Sequence, residues 1–306
     1  MKNELVVLFG GGGFLGRYVA QALLAAGARV RVAQRDPRRA YFLKPLGGLG
    51  QTQFVAADVK RPESVARAIA GADAVVNLVG AFTDMQALHV GGARAIAEAA
   101  RDAGVEAMVH VSAIGADPES ASAYGRSKGE GEAAVRAAFP HATILRPSVV
   151  FGQEDEFTNR FAGMVALPIV PVLRGDARFQ PVFVKDVADA AVTALADAKA
   201  YGGKLFELGG RDVMTLRQIY QLLARETGRT PHLLELPDAL GGLLAALPGS
   251  PLTRDQWQML QRDTVVADGA DGFAALGITP TPLAAVAGTW LVRFRRHGRF
   301  AKRAAA

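Results

Sequence analysis

The chain has 306 residues, half of them apolar, and carries a formal net charge of +6. That length suits one α/β domain with an elaboration, or two intimately packed lobes. The lack of cysteine excludes disulfides, a thiolate metal site and a cysteine nucleophile, and the five histidines show no metal-ligand spacing, so no metal is expected.

The charge is uneven. Arg293, Arg295, Arg296, Arg299, Lys302 and Arg303 form a run without an acid, which leaves the rest of the chain formally neutral. A nucleic-acid binder spreads its basic excess over a folded face, so no nucleic-acid partner is expected. The run reads either as a solvated end or as a segment that docks on an acidic partner or anionic lipid. Met1-Lys2-Asn3 leads straight into an apolar run, which predicts neither a secretory signal nor a transit peptide. The apolar stretches at 163–173 and 239–248 are too short to span a bilayer.

In chain order, residues 5–9 read as a buried strand, followed by Gly10-x-x-Gly13-x-x-Gly16 and an apolar-periodic helix at 14–26. A glycine turn between strand and helix lets the backbone approach a pyrophosphate. The helix N-terminus, at Phe14 and Leu15, adds N–H donors and a positive dipole end. Further strands are expected at 29–33, 53–56, 74–78, 107–111 and 143–146. Helices are expected at 62–70, 85–103 and 121–138. Strands apolar on both faces, alternating with helices, predict a Rossmann-type doubly wound parallel α/β sheet with its ligand at the strands' carboxyl ends.

Candidate binding residues sit at those ends. Arg17 follows the third glycine and Arg35 follows the second strand; arginines there suit a 2′-phosphate and favour NADP(H), although the adjacent Asp36 leaves NAD(H) open. Asp58, followed by Val59, can accept from an adenine amino group or simply hold a turn. Leu78, Val79 and Gly80 let backbone lie against the cofactor. Tyr124 and Lys128, four apart, share a helical face. An ammonium there would stabilise a phenolate and lower the phenol pKa.

After Pro147 the rhythm changes. Strand-like pieces at 170–173, 179–184 and 204–208 separate helices at 185–196, 216–226 and 254–260. A last helix is expected at 281–294, capped by Thr281 with Pro282 in its first turn. The expected division is a dinucleotide-binding domain at 1–150 and a smaller mixed lobe at 151–306, covering the open side of the nucleotide site.

Together these residues resemble the short-chain dehydrogenase/reductase superfamily, in its extended and atypical branches, over the whole chain. The segment from Arg146-Pro147-Ser148 to Phe151-Gly152 looks like the one that touches nicotinamide in extended members, and Gln180 to Ala188 looks like their later strand-to-helix junction. Phe14-Leu15-Gly16-Arg17-Tyr18-Val19, Phe151-Gly152-Gln153-Glu154-Asp155, Leu252-Thr253-Arg254-Asp255 and Leu276-Gly277-Ile278-Thr279-Pro280 narrow the match. They are similar to the nucleotide-binding accessory subunits of respiratory complex I (NADH:ubiquinone oxidoreductase). That resemblance implies NADPH bound for structure rather than turnover. It also implies a peripheral place on the cytoplasmic or matrix side of the membrane, at the junction of the peripheral and membrane arms.

One departure favours this reading. The hydroxyl that active superfamily members place near the fifth strand's end aligns with Ile114, and Ser112 lies two residues earlier as a weak substitute. The alternative is a working NADP(H)-dependent reductase or epimerase of a small apolar substrate, with Tyr124 as proton donor and Lys128 as its partner. A redox-sensing NADP(H)-binding module is a further alternative.

Overall fold

The computed structural model describes residues 1–246, 252–296 and 298. In it the apolar runs of the first half become one parallel sheet. β1 (Leu5–Phe9) is buried at every position and leads into α1 (Phe14–Ala25). β2 (Arg29–Gln34), a 3₁₀ helix at Pro37–Leu46, β3 (Thr52–Ala56) and α2 (Pro62–Ile69) follow. Next come β4 (Ala74–Asn77), a π-helical segment Gln86–Gly92, α3 (Ala93–Asp102), β5 (Ala107–Val111), α4 (Ala123–Ala138) and β6 (Thr143–Pro147). The seventh strand is Leu205–Leu208, paired parallel to β6. From that edge the order is β6, β5, β4, β1, β2, β3. The order reverses between β1 and β4, so their carboxyl ends flank the switch point where such sheets bind ligands. Phe9 pairs with Asn77 across it, and Asn77 with His110.

The chain divides into two compact units, and it passes between them several times rather than once at residue 150. The first comprises Met1–Pro147, Val184–Leu208 and Ala267–Ile278. Two segments that the sequence suggested for the smaller lobe therefore belong to the first unit: the Val184–Ala196 helix packs on α1, and Leu205–Leu208 extends the sheet. The physical reason is β6. A buried strand that would otherwise form the sheet edge takes a partner from later in the chain. On one face of this sheet Val7, Phe9, Val75, Met108 and Ile144 form a core with Ile69, Ile96 and Val135 from the helices.

The second unit comprises Ser148–Phe183, Gly209–Val266 and Thr279–Ala306. Among the described residues it holds three two-stranded pieces: Val150–Phe151 with Val182–Phe183, Arg178–Phe179 with Met214–Thr215, and Ile169–Leu173 with His232–Leu236. Its core gathers Phe151, Val170, Val172, Ile219, Leu223 and Trp290. Buried Asp155 fixes the entry to the Phe157–Met164 helix by accepting from the Gly152 and Thr158 N–H groups. The single helix expected at 281–294 is instead broken into Leu283–Val286, Gly288–Leu291 and a 3₁₀ turn Val292–Phe294, with extended Pro282 in the cap position. Its apolar stripe packs into this unit's own core through Leu283, Trp290 and Leu291. Of the basic run, Arg293 donates to the Gln153 carbonyl at 3.4 Å and Arg295 to that of Glu226 at 3.1 Å. Arg299, Lys302 and Arg303 lie outside the described residues. Among the described residues no helix is long and apolar enough to cross a membrane, and no cluster of His, Asp and Glu could hold a metal ion.

Candidate functional site

The glycine turn is built by close backbone approach. Gly10 adopts φ +82°, and a Cβ there would lie 3.3 Å from the Leu78 backbone. A Cβ at Gly16 would collide with the Gly10 carbonyl oxygen and lie 2.6 Å from the Gly11 Cα, so only glycine lets α1 start this close to β1. Gly13 is the N-cap, donating its own N–H to the Gly10 carbonyl at 3.0 Å. No side chain caps α1, and no acid occupies its first turn. The helix thus presents backbone N–H groups and an uncompensated positive end at Phe14 and Leu15, an arrangement that suits a diphosphate.

The end of β2 lies beside this turn, and there the residue that touches it is Gln34. Gln34 Oε1 accepts the Gly12 N–H at 3.1 Å, and its Nε2 donates to the Asp36 carbonyl at 2.7 Å. The Asp36 carboxylate caps the 3₁₀ helix, accepting the Arg38 N–H at 3.2 Å and pairing with the Arg38 guanidinium at 3.0 Å. That hydrogen bond, reinforced by the positive charge, holds Asp36 below the usual carboxylate range. Arg35 is exposed, and the Arg17 guanidinium lies over the Phe42 ring at 4.6 Å. Asp58 holds its turn, with Oδ1 accepting the Lys60 N–H at 3.0 Å. Val59 is buried against Gly92, where a Cβ would come within 2.8 Å of it.

Beneath the carboxyl ends of β4 and β5 lies a buried polar layer. Asn77 Oδ1 accepts the Val79 N–H at 3.0 Å, which turns the Asn77 amide NH₂ toward His110 Nδ1, also at 3.0 Å. His110 therefore carries its proton on Nε2, and that atom and the Ser112 Oγ are buried without a hydrogen-bond partner among the described residues. His89 Nε2 accepts the Ala81 N–H at 3.0 Å, so Nδ1 holds the proton and faces Ser127 Oγ at 2.8 Å. Burial, then the nearby Lys128 ammonium, lowers His89 to about 4 and His110 to about 3. Both rings are neutral at pH 7, as their hydrogen bonds require.

Tyr124 and Lys128 rise from α4 above this layer. The helix starts at Ala123 because Ser122 caps it, accepting the Gly125 N–H at 3.1 Å. Lys128 Nζ donates to the Val111 carbonyl at 3.1 Å and lies 3.7 Å from where a Gly80 Cβ would stand. Burial lowers its pKa to about 8, partly offset by Glu132. Tyr124 is stacked on Phe82 with ring centroids 4.9 Å apart, and its ring meets His89 edge-on at 5.6 Å. The lowered phenol pKa expected from the sequence is reversed here: burial pushes Tyr124 up to about 12. Ile114 donates its N–H to the carbonyl of Pro147, the last residue of β6, at 3.0 Å. Its aliphatic side chain brings no hydroxyl.

The structure thus gathers Gly10, Gly13, Gly16, Leu78, Val79 and Gly80 at the switch point and Tyr124 with Lys128 on one helix face. Sequence reasoning missed Gln34, Phe42, Phe82 and the two histidine pairs. Gln34 was legible as the last residue of an alternating strand. The histidine pairs join residues 33 and 38 apart in sequence, which no local pattern reveals.

The model of the family described as Epimerase, NAD dependent epimerase/dehydratase family, matches residues 6–209. The chain belongs to that family. The chain is 35% identical over 297 residues to the mouse (Mus musculus) mitochondrial NADH dehydrogenase [ubiquinone] 1 alpha subcomplex subunit 9, covering 92% of this chain and 78% of that one. It is 35% identical over 251 residues to the ceramide reductase of Caulobacter vibrioides, covering 79% and 76%. The epimerase/dehydratase fold is also that of an Escherichia coli NADPH-dependent quinone oxidoreductase complexed with NADPH: TM-score 0.77 at 20% identity, covering 94% of this chain and 99% of that one.

Proposed function

We propose that this protein is an NADP(H)-binding accessory subunit of respiratory complex I, held peripherally against the complex, in which the nucleotide is a structural ligand turned over little or not at all. The observation that carries this reading is the state of Tyr124. Its ring is half-buried and stacked on Phe82, and desolvation raises its phenol to about 12, far from the near-neutral value that efficient proton transfer needs. Ile114 stands where a hydroxyl would polarise a carbonyl. The kinship supports the partner: mouse, rat and Arabidopsis complex I subunits share 33–35% identity over more than nine-tenths of this chain.

The first turn of α1 would hold the diphosphate, and Lys128 and Tyr124 the nicotinamide ribose. When bound, the nicotinamide could accept or supply a hydride. Three features support NADP(H) over NAD(H): neutral Gln34 at the end of β2, Asp36 committed to Arg38, and exposed Arg35. Binding confined to the folded state stabilises it by RT ln(1 + [L]/Kd), about 2.7 kcal/mol at a hundredfold excess over Kd.

A second reading, a reductase of an apolar carbonyl substrate, is favoured by the retained Tyr124–Lys128 pair and by the ceramide reductase relative. One experiment separates the two. NADPH and NADH are titrated calorimetrically against wild type and Arg35→Ala, and NADPH oxidation is followed with a panel of ketones, aldehydes and quinones. The expected result is an NADPH preference that drops by about 1.5–3 kcal/mol on loss of the arginine, with no turnover. Oxidation in the ordinary range of about 1–1,000 per second, abolished by Tyr124→Phe, would replace the subunit reading with the reductase.

A further inference from the structure

We infer that His89 is a positioning residue for the nicotinamide half of the site: its ring bridges the loop that leaves β4 and the face of α4 that carries Tyr124 and Lys128, and so fixes the width between them. This inference rests on the nucleotide reading above.

Two walls meet here, and both lie in the first unit. One is the loop after β4. Asn77 turns it at Val79, and Gly80 comes so near α4 that a Cβ there would stand 3.7 Å from Lys128 Nζ. Farther along, exposed Phe82 stacks on Tyr124. The other wall is α4 itself. Apolar contact of this kind is non-directional, so it holds the walls together without fixing their register.

His89 supplies the directional link. The Ala81 N–H can only donate, so it takes the lone pair of His89 Nε2 at 3.0 Å. A neutral ring then carries its proton on Nδ1, which faces Ser127 Oγ at 2.8 Å. The hydroxyl accepts there and donates onward to the Tyr124 carbonyl at 3.0 Å. The chain of hydrogen bonds thus runs one way, from the loop through the ring to the first turn of α4. It needs a neutral imidazole, and burial keeps His89 neutral at pH 7. His89 and Ser127 are both almost wholly buried, so an unmade bond here would not be replaced by bulk water.

The backbone is arranged to deliver the ring. His89 sits in the π-helical segment Gln86–Gly92, a rare geometry that concentrates at functional sites. Residue 131 of α4 is glycine, and a Cβ there would collide with the His89 carbonyl oxygen, so the helix lies directly against this segment. The His89 ring also meets the Tyr124 ring edge-on at 5.6 Å and braces it from a second side. With the link intact the loop is ordered before a nucleotide arrives. Without it, ordering the loop opposes binding.

The test uses the full chain and two ligands. NADPH reaches both halves of the site, whereas adenosine 2′,5′-bisphosphate carries the adenosine half alone. Dissociation constants are compared in wild type, His89→Ala, His89→Gln, Ser127→Ala and the His89→Ala/Ser127→Ala double variant, and hydrogen exchange is followed at the Ala81 amide. His89→Ala should bind NADPH about tenfold more weakly, the scale of one lost buried hydrogen bond, and should bind the bisphosphate as wild type does. Its Ala81 amide should exchange faster while the β4 amides stay protected. His89→Gln, whose carboxamide again offers an acceptor and a donor, should restore most of the affinity. Adding Ser127→Ala to His89→Ala should weaken binding little further, since both changes break one chain. Equal weakening toward both ligands, unchanged NADPH affinity in His89→Ala, or a glutamine variant no better than alanine would overturn the role assigned to His89 and leave the nucleotide reading intact. A wild type that binds neither ligand would overturn both.

Discussion

Replacing Glu132 with alanine is expected to destabilise the protein by about 3–5 kcal/mol, the usual consequence of removing one partner from a buried ion pair. Glu132 lies on α4 and is 5% exposed. Its two carboxylate oxygens accept from Arg146 Nε and Nη2, both at 2.8 Å, so the pair is bidentate. Arg146 Nη1 also reaches Glu207 at 3.5 Å, and Glu207 in turn accepts the Ala267 N–H at 2.8 Å. The network thus ties α4, β6, the edge strand Leu205–Leu208 and the segment after it, all within the first unit. Without Glu132 a mostly buried guanidinium keeps only the longer contact. The same change removes the negative charge that helps Lys128 stay protonated. Urea denaturation of Glu132→Ala should show the full loss. Replacing both Glu132 and Arg146 by apolar residues of similar volume should lose much less, since neither charge is then stranded. A loss under about 1 kcal/mol in Glu132→Ala would show that the network is solvated in solution.

Acid is expected to destabilise the fold earlier than carboxylate protonation alone would. His89 and His110 titrate near 6.5 when unfolded but are held to about 4 and about 3 in the folded state, chiefly by burial. Above pH 6.5 both are neutral in either state and their depressed values have no effect. Between pH 6.5 and about 4 the unfolded chain binds more protons than the folded one, so stability falls as pH falls. Below about 4 the His89 contribution levels off, and His110 continues to about 3. At roughly 1.4 kcal/mol per unit of pKa, His89 alone amounts to about 3 kcal/mol, and His110 to more. Urea midpoints should stay level from pH 7.5 to about pH 6.5 and then decline to pH 4.5, with about half of that slope removed in His110→Asn. A flat profile between pH 7 and pH 5 would mean that water or a counter-charge reaches these rings.

Much of the first unit was legible in the sequence because strands buried on both faces read as unbroken apolar runs. β1 and β5 fall at the residues expected, 5–9 and 107–111. The glycine turn was legible for a related reason: its spacing reflects backbone contacts, at Gly10 and Gly16, that no other residue permits. The 3₁₀ helix Pro37–Leu46 was not legible. It contains Pro45, two arginines and exposed aromatics, and so lacks a helical apolar period. Residues 85–103 read as one helix because the apolar period survives the switch from the π segment to α3 at Gly92. In the second unit several strands are two residues long, shorter than any period that could announce them. In the site, the spacing of Tyr124 and Lys128 correctly put them on one face. What the spacing could not convey is burial, and burial moves the phenol in the opposite direction to the one a neighbouring ammonium suggests.

The central claim, an accessory subunit rather than an enzyme, is tested most directly by purifying the tagged full chain from its native membranes under mild detergent. The co-purifying proteins are identified, and the nucleotide released on denaturation is quantified. The account predicts recovery of complex I subunits in near-stoichiometric amounts, with about one NADP(H) per chain and no NADPH oxidation by the isolated protein. Recovery of the chain free of complex I subunits, together with Tyr124-dependent NADPH oxidation on a carbonyl substrate, would contradict it.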